Sequence, residues 1–65
     1  MHLINLKKVN GPIVKVNPDW IQMIKPSNGT TSIVYLRNYD IEVEEDPQEI
    51  YSRIGNSIDL YKHSR

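Results

Sequence analysis

Three sets of side chains in this 65-residue chain could do chemistry: two histidines, a group of lysines interleaved with aromatics, and a run of acids. His2 and His63 stand at opposite ends and cysteine is absent, so neither belongs to the spaced ligand cluster that a zinc site needs. The serines and threonines lie in no nucleophile elbow and have no placeable His and carboxylate partners, which argues against a catalytic triad. Asn10-Gly11 and Asn28-Gly29 are single-glycine turns, whereas a backbone that wraps phosphates uses several glycines. Asp40, Glu42, Glu44, Glu45, Asp46 and Glu49 crowd into ten residues without a Lys or Arg. Alternation along a strand would turn several of them to one solvated face, and the glycine-containing spacing of an oxygen-ligand calcium loop is missing. The expectation is a non-enzymatic protein with no cofactor and no metal.

Lys7, Lys8, Lys15 and Lys25, with Trp20, Tyr35 and Tyr39 among them, outline a candidate nucleic-acid surface. Against it, the net charge is zero and the acidic run would interrupt any basic stripe. Charge is instead segregated along the chain. Lys7, Lys8, Lys15, Lys25 and Arg37 oppose only Asp19 before the acidic run, and Arg53, Lys62 and Arg65 follow it. Such polarity suits steering a partner or aligning copies of the chain, and equally suits a solvated strand edge and helix start.

These residues must be positioned by one small domain, since a chain this short buries only about 60% of the surface its unfolded form exposes. Without disulfides, packing has to do everything, and a partner or self-association would help. The apolar run at the N-terminus is too short for a signal peptide, and no segment approaches the roughly 20 apolar residues of a membrane span. A soluble, unprocessed, cytoplasmic protein is expected, with no membrane insertion.

Ile4 and Leu6 alternate with Leu3, Asn5, Lys7 and Val9, which marks a strand. A two-residue Asn10-Gly11 turn would pair Leu6 with Lys15 and mix the faces. A three-residue loop of Val9, Asn10 and Gly11, with the glycine left-handed, instead pairs Leu6 with Val14 and Ile4 with Val16. Asn17-Pro18-Asp19 stops that strand as a cap and first turn, which leads into a short strand before Pro26. Pro26-Ser27-Asn28-Gly29 is a turn with glycine where positive φ is wanted. Residues 30 to 45 form a second hairpin; a loop from Arg37 to Asp40 would set Leu36 opposite Ile41 and Val34 opposite Val43, leaving Ile33 and Tyr35 with Glu42 and Glu44 on the other face. Asp46-Pro47-Gln48-Glu49 starts a helix, with Asp as N-cap, and Ile50, Ile54, Ile58 and Tyr61 recur along one side of it. Gly55-Asn56 marks a potential kink. The predicted fold is α+β: a small antiparallel sheet of about four strands, in two hairpins within residues 2–45, and one C-terminal helix over 47–62.

Val9-Asn10-Gly11, Ile13, Val16-Asn17-Pro18-Asp19, Ile21 and Ile24 resemble the opening of the small FlbD/SwrD-type flagellar family. The spacing continues without a gap through Thr31, Ile33, Ile41, Val43 and Glu45, so that the likeness covers roughly residues 4 to 54. It implies a bacterial, cytoplasmic, non-catalytic protein that supports flagellar motility or swarming through protein contacts, or a phage-encoded relative acting on a host protein. Lys25 stands where that family usually has an acid, and Arg37-Asn38-Tyr39-Asp40 replaces its usual Asn-Gly turn. A weaker likeness links Leu6-Lys7-Lys8-Val9 and Glu49-Ile50-Tyr51-Ser52-Arg53-Ile54 to the CsrA-type RNA regulators. There, Glu44-Glu45-Asp46 replaces the basic residue expected before the helix, a phosphate-facing cation whose loss weighs against RNA.

The preferred expectation is therefore a regulatory or adaptor protein that meets a protein partner through Ile33, Tyr35 and Trp20, and that is also a candidate homo-oligomer. The alternative is an RNA-binding regulator using Lys7, Lys8, Lys15 and Lys25.

Overall fold

Five short antiparallel strands and one helix make up residues 3–57, the part of the chain that the structure, a computed structural model, describes. They are β1 (Ile4–Lys7), β2 (Ile13–Val16), β3 (Met23–Pro26), β4 (Ser32–Tyr35), β5 (Asp40–Val43) and α1 (Pro47–Ser57), with a single 3-10 turn at Pro18–Trp20 between β2 and β3. The α+β class is as expected; there are five strands rather than about four, because the short strand ending at Pro26 pairs with β4 and adds to the two hairpins. β1 and β2 form one sheet and β3, β4 and β5 the other. The two are stitched at a corner: Lys8 bridges Val43, the Val9 N–H donates to the Glu42 carbonyl at 3.0 Å, and the Glu44 N–H donates to the Lys7 carbonyl at 2.8 Å. Spatial order across both sheets is β2-β1-β5-β4-β3.

The first hairpin has the register that hydrophobic alternation demands, with Leu6 opposite Val14 and Ile4 opposite Val16. Its loop is the three residues Val9, Asn10 and Gly11, closed by the Lys8 N–H on the Pro12 carbonyl at 3.1 Å. The left-handed residue is Asn10, at φ 57°, and not Gly11. Lys8 to Gly11 form a β-turn, the Gly11 N–H donating to the Lys8 carbonyl, and positive φ falls at the third position of such a turn. Asn tolerates it better than other residues with a Cβ.

The second hairpin departs from expectation. Its loop is only Arg37 and Asn38, with the Leu36 N–H on the Tyr39 carbonyl at 2.8 Å, and Val34 pairs with Ile41 and Ser32 with Val43. The shift from the predicted pairing is two residues, which leaves every side chain on its predicted face. Between β3 and β4 the turn is tight as predicted, with Gly29 at φ 56° and the Thr31 N–H on the Asn28 carbonyl.

One apolar core results. Ile4, Leu6, Val16, Val34, Leu36, Val43 and Ile50 are buried, and Val14, Ile21, Ile24, Ile41 and Ile54 pack against them. Ile50 and Ile54 bring the helix stripe onto that core; Ile58, Tyr61 and the predicted helix beyond Ser57 lie outside the described residues. The helix starts where predicted, the Asp46 carboxylate accepting from the Glu49 N–H at 2.8 Å. It shows no break at Gly55-Asn56 and continues to Ser57.

Where β5 veers off into the helix, side chains finish the β1 ladder. Both carboxylate oxygens of Glu45 accept from the Lys7 N–H, at 3.0 and 3.1 Å, and Arg53 Nη1 donates to the Asn5 carbonyl at 2.6 Å. Arg53 Nη1 also meets Glu45 at 2.8 Å, and Nη2 meets Glu49 at 3.2 Å. The pair thus does for β1 what a longer β5 would have done, and it clamps the helix to the strand.

Candidate functional site

The outward side of β3, β4 and β5 is assembled by register alone. Residues directly opposite one another share a face, so Lys25, Ile33 and Glu42 form one row across the three strands, and Met23, Tyr35 and Asp40 form the next. Their chain neighbours Ile24, Val34 and Ile41 turn inward to the core. Glu42 is pinned at its end of the row by the hydroxyls of Ser27, at 3.0 Å, and Thr31, at 3.1 Å.

Trp20 is brought to the Tyr35 end of this surface by the 3-10 turn. Asn17 caps that turn, its side chain accepting from the Asp19 N–H at 2.9 Å and its carbonyl from the Trp20 N–H at 2.9 Å. Two residues later the Gln22 N–H donates to the Tyr35 carbonyl at 2.7 Å. The Arg37 guanidinium, at the tip of the β4–β5 hairpin, lies 5.7 Å from the Trp20 ring centre, a cation–π contact. Trp20 is 45% exposed and Met23 48%, and Arg37 is exposed as well, while Tyr35, directly opposite Met23, is not fully open. Ile33 and Tyr35 are half-buried, flanked on both sides by neighbouring strands. Of the three residues expected to meet a partner, Ile33 and Tyr35 share the outward face of β4, and Trp20 meets Arg37 at the tip of the hairpin that β4 enters.

The four lysines are not gathered in this way. Lys7 and Lys15 share the outward face of β1 and β2, where Lys7 pairs with Glu44 at 3.6 Å and Lys15 donates to the Asn5 side chain at 3.3 Å. Lys8 follows Lys7 and takes the opposite side of the strand by alternation. Lys25 belongs to the other sheet, in a row that ends on Glu42. Glu44 sits beside Lys7, and Glu42 closes the row that Lys25 opens.

Sequence reasoning passed over the polar network inside the fold. Ser32 is fully buried and its hydroxyl donates to the Glu45 carbonyl at 2.7 Å, while the Glu45 side chain is only 11% exposed. Two signals were available: a serine in step with inward-facing Val34 and Leu36, and the Glu49 to Arg53 spacing that brings opposite charges together on a helix. An open cleft of about 430 Å³ lies beside this network, lined by Ile4, Asn5, Lys7, Ile13, Glu45 and Arg53. Its cations are already paired with acids, so it offers no free charge to a ligand. Among the described residues no group of three His, Asp or Glu could hold a metal ion, and no helix is long and apolar enough to cross a membrane. Both histidines lie outside the described residues. No protein-family profile, no curated protein and no solved structure matches this chain.

Proposed function

We propose that this protein is a non-enzymatic cytoplasmic adaptor that acts by protein contact through the outward face of β3, β4 and β5. The observation that carries this reading is that exposed Trp20, Met23 and Arg37 stand with half-buried Tyr35 toward one end of that face. Aromatic residues, Met and Arg are the types enriched at protein interfaces, and Trp, Tyr and Arg supply most of the residues whose truncation is costly. The resemblance of residues 4 to 54 to the FlbD/SwrD-type family suggests a role in flagellar motility or swarming, or a phage-encoded version directed at a host protein.

A mutational contrast tests the contact mode. Trp20→Ala and Tyr35→Ala should each weaken partner binding by about 2 kcal/mol, close to thirty-fold, while Lys7→Ala and Lys8→Ala leave it within about twofold. If the protein instead works on RNA, the lysine variants carry the loss, and affinity falls steeply as salt rises. Tight, sequence-selective RNA binding with that salt dependence would overturn the reading.

A further inference from the structure

The array of five strands has two outer edges, and they are not alike. β3 ends in Pro26, which has no N–H to offer a new strand, and Tyr51 and Ile54 of the helix line a groove with Met23 and Ile24 along it. Among the described residues β2 has neither protection. Because the Lys8 N–H donates to the Pro12 carbonyl, the ladder with β1 alternates from there through Val14 and Val16. The N–H and C=O groups of Ile13 and Lys15 consequently point away from β1, and no described strand pairs with them. Ile13 is 64% exposed, more than any other large hydrophobic residue among those described. Lys15 makes no ion pair among the described residues, whereas Lys7 and Arg53 do.

We infer that the β2 edge is a strand-addition site for an extended acidic segment of a protein partner. The segment would hydrogen-bond to the backbone of Ile13 and Lys15 and set an aliphatic residue beside Ile13 and a carboxylate, two positions along, beside Lys15. Charge selects this occupant over a second copy of the chain. An antiparallel pair centred on Val14 would satisfy the same backbone groups, but it would hold each Lys15 diagonally across from its mate, about 7–8 Å away at the backbone. A lysine on an open edge repels its own kind and attracts an acid. This contact is separate from the Trp20 and Tyr35 face and stands or falls independently of it.

The test is a titration of the isotope-labelled full chain, followed by its amide resonances, with the peptide acetyl-Thr-Val-Thr-Glu-Thr-Val-Thr-amide and its counterpart carrying Lys for Glu. Saturable shifts should centre on Ile13 and Lys15, with the Glu peptide binding about tenfold tighter than the Lys peptide. Ile13→Pro removes an outward N–H without removing a bond to β1, and should weaken the Glu peptide about tenfold or more. Lys15→Glu should reverse the preference between the peptides, which keeps the test decisive if the Pro variant fails to fold. No saturable shift at millimolar peptide, equal affinity for both peptides, or shifts centred on β3 would each overturn the proposal. So would concentration-dependent shifts of Ile13 and Lys15 without peptide, which would make the second copy the occupant.

Discussion

Glu45 and Arg53 together complete the hydrogen bonding of β1 and tie the helix to it. A carboxylate that is 11% exposed accepts from a strand N–H and from a guanidinium, and that guanidinium reaches the next free carbonyl of the same strand. Removing either partner leaves the other poorly paired in a sheltered place. Glu45→Ala should cost about 1–3 kcal/mol in urea denaturation, below the range for a fully buried pair because Arg53 is 35% exposed. In a double-mutant cycle with Arg53→Met, the two losses should be less than additive by about 1 kcal/mol. Asn10 and Gly11 give a second contrast. Asn10 carries the positive φ, so Asn10→Val should destabilise by about 1–2 kcal/mol while Asn10→Gly is tolerated. A Cβ at Gly11 would meet the Lys8 Cβ at 3.1 Å, which a slight shift of the loop relieves, so Gly11→Ala should be the milder change. Thermal melts of the three variants check the order.

At the scale of elements, what could be inferred from sequence follows the symmetry of the strand. Side chains repeat every two residues, so hydrophobic alternation decides whether a loop is odd or even. For the first hairpin that was enough, since a two-residue loop would have put Lys15 opposite Leu6. The same alternation cannot separate registers that differ by two, and the Arg37–Asn38 turn sits two residues away from the predicted pairing with every face preserved. Chain-local chemistry was equally legible: Asn17, Gly29 and Asp46 each sit where turn and cap rules put them. The Glu45 to Lys7 contact was not, because it spans 38 residues and depends on where β5 leaves the sheet. The outward surface was half legible. Alternation placed Ile33 and Tyr35 together, but only the 3-10 turn and Arg37 explain why Trp20 joins them. The helix cap offers a direct check, since Asp46→Ala should lower stability by about 1 kcal/mol with little change in the slope of the denaturation curve.

For the whole molecule, a small core governs everything else. Leu6, Val34, Val43 and Ile50 are fully buried, and between them they join the first sheet, the second sheet and the helix. Leu6→Ala should cost about 2–5 kcal/mol, comparable to the entire stability of a domain this size, and leave the chain largely unfolded at 37 °C by circular dichroism. All buried side-chain polar atoms among the described residues have hydrogen-bond partners. Unspent potential lies outside, at the Trp20 and Tyr35 face and at the β2 edge. The first of these is the proposed protein-binding surface. It is tested most directly by placing a photo-crosslinking amino acid at Tyr35, and separately at Lys15, in the cells that make the protein. Adaptor function predicts one discrete protein adduct from position 35 that Trp20→Ala abolishes; RNA adducts, or no adduct from a folded protein at that position, would contradict it.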